Sequence, residues 1–129
     1  MATAHARPLI LIVEDHADTR AMYAEFLGAS FDVIEAADGQ QALGLITGRA
    51  PAVVITDFSL PGIDGFELIR RIRGNQATAH IPVICLSGYA GRTHEQRARE
   101  VGCDRVLEKP CLPDLLAATA LEVVRIGRA

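Results

Sequence analysis

The chain has 129 residues and a mass of 13.8 kDa, the size of one ordinary domain. Half of its residues are apolar and 22% are charged, which excludes a disordered tail; a net charge of −3 without a basic patch argues against direct nucleic-acid contact. The longest apolar run near the N-terminus, Leu9 to Val13, ends in Glu14-Asp15. It is too short for a membrane span or a signal peptide, so no membrane partner is expected. Cys85, Cys103 and Cys111 form no CxxC spacing and read as buried or incidental thiols of a reduced, cytoplasmic protein.

In chain order, Leu9 to Val13 reads as a strand covered on both faces. Asp18 is placed to cap a helix carrying Met22, Tyr23, Phe26 and Leu27 at helical spacing. A second strand follows over Phe31 to Ala36. Asp38 then precedes a helix with Ala42, Leu45 and Ile46 that ends near Gly48. Ala52 to Thr56 is a third strand, and Asp64 precedes a helix with Phe66, Leu68, Ile69 and Ile72 that ends at Gly74. Ile81 to Leu86 is a fourth strand, with Pro82 at its start, where a strand tolerates proline. A fourth helix, about Thr93 to Val101, has few apolar residues beyond Ala98 and Val101 and is expected to be weakly anchored. Arg105 to Leu107 is a short fifth strand. The last helix begins after Pro113-Asp114 and is expected to bury Leu115, Leu116, Thr119 and Val123. Five strand-helix units in alternation predict an α/β fold, a doubly wound parallel sheet with helices on both faces. The expectation is one domain over 1–129, with its core at about 8–126.

Ligands of such sheets bind at the carboxyl ends of the strands. Glu14 and Asp15 follow the first run, Asp57 the third, Ser87 the fourth, and Lys109-Pro110 the fifth. The second run ends in Glu35-Ala36-Ala37 with no comparable cluster. Lys109 is also the only lysine beside twelve arginines. Three carboxylates at one edge repel each other unless a hard cation sits among them. Mg²⁺, or Mn²⁺ in its place, suits such oxygen donors. Asp57 could then attack phosphorus to give an aspartyl phosphate, with Lys109 and the Ser87 hydroxyl meeting the phosphoryl oxygens.

The segments Leu11-Ile12-Val13-Glu14-Asp15, Asp57 to Gly65, Leu86-Ser87-Gly88 and Glu108-Lys109-Pro110 resemble the motifs of two-component response-regulator receiver domains. The match runs from Pro8 to about Val124. The resemblance implies a flavodoxin-like sheet in strand order 2-1-3-4-5. It implies Asp57 as phosphoacceptor and metal ligand, Asp15 as a direct Mg²⁺ ligand, Glu14 holding a metal-bound water or ligating weakly, and the Ser59 backbone carbonyl as the third protein ligand. It further implies phosphoryl binding by Ser87 and Lys109 and a cis Lys109-Pro110 bond. The donor would be a histidine kinase or a His-phosphotransfer protein, and the output a changed surface that binds another protein. Such a chain is a signalling phosphoacceptor rather than an enzyme, assisting its own phosphorylation and slow dephosphorylation.

Plainer readings stand beside these. Glu14 and Asp15 could be a helix N-cap pair, Lys109 a surface lysine, and Ser87-Gly88 a simple turn. His16 reads as a solvent-exposed side chain or a donor contact rather than a metal ligand, and Cys111 as a packing residue. The position where many receivers carry a Tyr or Phe is Val106, a stiff side chain without a ring to swing. The loop Ser87-Gly88-Tyr89-Ala90-Gly91 and the fourth helix are therefore the expected switch, with Tyr89 offering the ring. The chain stops about fifteen residues after Asp114, so no output module is expected. A phosphorylation-independent interaction module is one rival reading. An aspartate-nucleophile phosphatase is another, disfavoured because the position two after Asp57 is Ser59 and not an acid.

Overall fold

The computed structural model describes residues 7–88 and 92–128. Five strands alternate with five helices: β1 (Leu9–Val13), α1 (Ala17–Leu27), β2 (Asp32–Ala36), α2 (Gly39–Arg49), β3 (Val53–Asp57), α3 (Gly65–Gly74), β4 (Val83–Ser87), α4 (Arg92–Val101), β5 (Arg105–Glu108) and α5 (Pro113–Ile126). All four strand pairs are parallel, in the order β2-β1-β3-β4-β5. This is the doubly wound, flavodoxin-like sheet expected from the sequence.

Side chains alternate across the sheet, so its two faces make two cores. Ile10, Ile12, Val53, Ile55, Ile84 and Leu86 pack with Tyr23 and Leu27 of α1 and with Leu116, Ala120 and Val123 of α5. Leu11, Val13, Val54, Val83 and Cys85 pack on the other face with residues of α2 and α3 and with Ala98 of α4. The central strands are buried on both faces, and each such aliphatic side chain contributes about 1.5–3 kcal/mol.

Several local expectations need correction. His16, not Asp18, is the N-cap of α1, and Asp18 lies in its first turn. Met22 and Phe26 are each 45% exposed, and Leu115 is 52% exposed, because the buried stripes of α1 and α5 are narrower than the apolar composition suggests. Pro113 opens α5 at its first turn, where a missing N–H costs nothing. Phe31, Ala52, Ile81 and Pro82 precede their strands, whereas Asp57, Ser87 and Glu108 are the last strand residues and inherit strand geometry. Helix α2 runs on past Gly48 to Arg49 and ends with Ala50 in the left-handed region. Asp38 and Asp64 do cap α2 and α3, accepting from the N–H groups of Gln41 and Glu67 at 2.8 and 2.9 Å. Among described α4 residues only Ala98 is fully buried, with Val101 partly so, in keeping with a sparsely anchored helix.

The amino end of the sheet is fastened by one arginine. Arg73, at the end of α3, donates to the carbonyls of Ala79, Ile81 and Gly102 and to the Asp104 carboxylate at 2.9 Å. Asp104 also accepts from the Val83 N–H at the start of β4 and from Arg128 beyond α5.

Gly65 is where the fold meets the carboxyl edge most closely. Its N–H donates to the Phe58 carbonyl at 2.8 Å, and a Cβ there would lie 2.4 Å from the Asp57 carbonyl oxygen and 2.8 Å from the Phe58 Cα. Gly44 inside α2 faces open space. Gly65→Ala is therefore expected to lower unfolding free energy by about 1–3 kcal/mol in urea titrations, against the usual helix preference for alanine. Gly44→Ala should raise it by about 0.5–1 kcal/mol.

Candidate functional site

The strand order reverses between β1 and β3, and the crevice above the carboxyl ends of those two parallel strands is where this architecture binds ligands. Glu14 leaves β1 there and Asp57 ends β3. Both are buried, with side chains only 2% and 8% exposed. From beyond β5, Lys109 reaches over the end of β4. Its Nζ donates to Asp57 Oδ2 at 2.5 Å and to Glu14 Oε1 at 3.3 Å. One ammonium thus bridges two carboxylates from different strands. The plain surface-lysine reading of Lys109 is set aside by this geometry.

The remaining oxygens are also held. Asp57 Oδ1 accepts from the Ser59 N–H at 3.3 Å. Glu14 Oε2 accepts from the His16 backbone N–H and lies 3.1 Å from the His16 Nδ1. That Nδ1 is also 3.5 Å from Asp15 Oδ1. Glu14, Asp15 and His16 thus offer ligand atoms all within 4.8 Å of one another. The His16 side chain is largely exposed, as expected from the sequence, yet its ring meets the acids rather than standing apart. Asp15 is the accessible acid, its side chain 36% exposed.

The Ser87 side chain is buried at the end of β4, and its carbonyl accepts the Lys109 N–H at 2.7 Å, tying the β4 and β5 ends together. The Lys109-Pro110 bond is cis. Gly62, in the loop after Asp57, has φ +76°, a conformation that the Pro61-Gly62 turn requires. Val106 is partly buried in β5 opposite Cys85, against the core face of α2 to α4. Tyr89, Ala90 and Gly91, the centre of the expected switch loop, lie outside the described residues.

Several contacts have no counterpart in the sequence reading. Arg20 of α1 donates to the Glu14 carbonyl at 2.7 Å and to the Glu35 carboxylate of β2 at 3.2 Å, a surface link between the ends of β1 and β2. The Tyr23 hydroxyl donates to the Cys111 carbonyl at 3.2 Å. Cys111 itself is buried among apolar residues of the α1 and α5 core, and burial pushes its thiol pKa up, as a packing residue requires. A cleft of about 520 Å³ opens beside Asp15 and Ser59, lined also by Phe58, Phe66, His94 and Arg97. Helical spacing put Arg20 on α1, but nothing in the sequence marked the far carbonyl that it meets.

Burial alone would lower the Lys109 pKa, but the hydrogen bond and charge of Asp57 and then the Glu14 charge outweigh it and hold the ammonium above the ordinary lysine value. A pKa raised on folding stabilises the protein fully below the unfolded lysine value of about 10.4 and is lost as pH rises through the folded value. By ¹³C NMR the Lys109 Cε is expected to titrate above the ordinary range. In Asp57→Asn its midpoint should fall, because burial then loses its main opponent. An unchanged midpoint would show that Asp57 does not hold the ammonium.

Residues 10–121 match the family model described as the response regulator receiver domain. The chain is 38% identical over 117 residues to the phosphate regulon transcriptional regulatory protein PhoB of Pseudomonas aeruginosa, covering 90% of this chain and 51% of PhoB. It is 35% identical over 112 residues to the sensor histidine kinase RcsC of Salmonella typhimurium, covering 86% of this chain and 12% of RcsC. It therefore spans about half or less of the length of these curated relatives. Among solved structures, the Vibrio cholerae chemotaxis protein CheY4 superposes with a TM-score of 0.87 at 29% identity, covering 92% of this chain and 99% of that one. A putative response regulator of Chloroflexus aurantiacus does so with a TM-score of 0.84 at 32% identity, covering 92% and 98%. With four motifs, the strand order and the family match in agreement, the chain belongs to the response-regulator receiver domains of two-component signalling.

Proposed function

We propose that Asp57 accepts a phosphoryl group from a histidine kinase or a His-phosphotransfer protein. The observation that carries this reading is the Lys109 ammonium held between Asp57 and Glu14 at the switch point of the sheet. An Asp57 carboxylate oxygen attacks phosphorus as the phosphorus–nitrogen bond of a phosphohistidine breaks, and the electron pair leaves with the imidazole nitrogen. Lys109, already at the carboxylate, meets the charge added to the phosphoryl oxygens, and the Ser87 hydroxyl donates to one of them. The reverse fate, slow transfer to water, passes through the same charge arrangement, with Ser59 beside the approach.

The donor set suits a hard divalent cation. It would be made of carboxylate oxygens from Glu14, Asp15 and Asp57, with the Ser59 carbonyl as the ligand that the family resemblance implies, and two of those acids need counter-charge where they are buried. Bound Mg²⁺ or Mn²⁺ would supply further positive charge to the phosphoryl oxygens. His16, an imidazole at 3.1 Å from Glu14, orients that acid rather than replacing an oxygen ligand.

A protein donor must present its histidine at the carboxyl edge, where α1 and α5 begin. Between these two helices a groove of about 780 Å³ is lined by Met22, Glu25, Phe26, Pro113 and Ala117, and Leu112 and Leu115 are also exposed at the start of α5. These apolar side chains support a protein contact on that side, since large exposed residues so grouped mark interaction sites. Among the described residues no helix is long and apolar enough to cross a membrane.

Incubation with Mg²⁺ and acetyl phosphate should add one phosphoryl group to the wild type and none to Asp57→Asn by intact mass, and chelation of the cation should prevent labelling. Adducts on both proteins would move the acceptor elsewhere. No adduct on either, together with no beryllofluoride binding, would leave an interaction module. Phe26→Asp should slow transfer from a phosphorylated His-phosphotransfer protein about tenfold or more while sparing acetyl phosphate.

A further inference from the structure

Helix α4 is attached to the rest of the molecule in an unusual way. Its apolar contribution is Ala98 and part of Val101, but it also meets a pair of rings. Phe58 and Phe66 stack with centroids 4.5 Å apart and planes within 9°. The His94 ring lies 6.4 Å from the first and 6.1 Å from the second. The Arg97 guanidinium carbon sits 4.1 Å from the Phe66 centroid, within cation–π range.

Phe58 is placed to feel events at the carboxyl edge. It follows Asp57 directly, and its N–H donates to the carbonyl of Leu86, the residue before Ser87, at 3.3 Å. Its own carbonyl accepts the Gly65 N–H, one residue from Phe66. The Phe58 backbone is therefore bonded next to Ser87 and next to Phe66 and is continuous with Asp57. A shift of the Asp57 or Ser87 backbone must move the Phe58 ring. Phe66 is fixed in the packed start of α3 and cannot follow freely, so the flat stack either stays seated or re-seats. The stack against which His94 and Arg97 of α4 lie changes with it.

We infer that the Phe58–Phe66 stack, with His94 and Arg97 resting on it, relays the state of Asp57 to α4, taking the place of the ring that Val106 lacks. This relay rests on Asp57 being the phosphoacceptor. It runs through space and does not use the chain segment between Gly88 and Arg92. Coupling of this kind requires the stack to have two arrangements whose balance is biased from both ends.

The test is the ¹H–¹⁵N spectrum of the full chain with and without beryllofluoride and Mg²⁺, for wild type, Phe66→Leu and Arg97→Gln. In the wild type, amides near Asp57, Ser87 and Lys109 and amides of α4 shift together. In both variants the site amides should shift as in the wild type, while the α4 shifts fall to roughly half or less. A wild-type α4 response in Arg97→Gln, whose exposed side chain is not needed for folding, would overturn the relay even if Phe66→Leu does not fold. Absence of any shift at Asp57, Ser87 and Lys109 in the wild type would remove the phosphoacceptor reading, and the relay with it.

Discussion

Two carboxylates taken out of water at one strand edge would repel each other and resist burial; the ammonium of Lys109 makes the arrangement stable. At an effective dielectric near 20, opposite charges about 4 Å apart attract by roughly 4 kcal/mol, and stripping one partner from a buried pair typically costs about 3–5 kcal/mol. Charge of this size organises the whole edge. Glu14 comes from the end of β1, Asp57 from β3 and Lys109 from beyond β5, so the contact exists only when the sheet has closed in its observed order. The backbone bond from Lys109 to the Ser87 carbonyl places the Ser87 side chain and the ammonium on a common support. A group that is charged, buried and already balanced can receive more negative charge with little rearrangement, which is what acceptance of a phosphoryl group demands.

The edge is stiff on one side and soft on the other. On the α3 side, Asp64 caps the helix and Gly65 is pressed against the Asp57 carbonyl, so β3 and the helix behind it are packed without slack. On the α4 side, the described residues attach through Ala98, part of Val101, and His94 and Arg97 against the Phe58–Phe66 rings. Regions with few buried apolar contacts are those that open first, and a signalling element is drawn from them by necessity. Receiver domains carry phosphorylation to a surface, and in this chain α4 is the described element with the least to hold it still.

Much of this was legible in the sequence. The five strands announce themselves as short apolar runs because both sheet faces are covered, and the acids, hydroxyl and lysine at their ends follow from strand direction alone. Asp38 and Asp64 cap helices as their positions suggest, since a short acceptor side chain before a helix has little else to do. What composition hides is the direction of each side chain. Met22, Phe26 and Leu115 have the right spacing for a core and face solvent, because whether an apolar residue is covered depends on the neighbour that periodicity does not name. The Arg20 link from Glu14 to Glu35, and the stacking of Phe58 on Phe66, are contacts between separate elements. Their residues are ordinary in isolation and take on meaning only when the chain has folded.

The guanidinium of Arg73 has a mechanical consequence. It grips the Gly102 carbonyl just past α4 and the Asp104 carboxylate that also holds the first residue of β4, and Arg128 closes on the same two groups. The far end of the fourth helix is thereby moored, while His94 and Arg97, further toward its start, lie against a pair of rings. A helix held so at one end resists sliding along the sheet more than it resists tilting about that end.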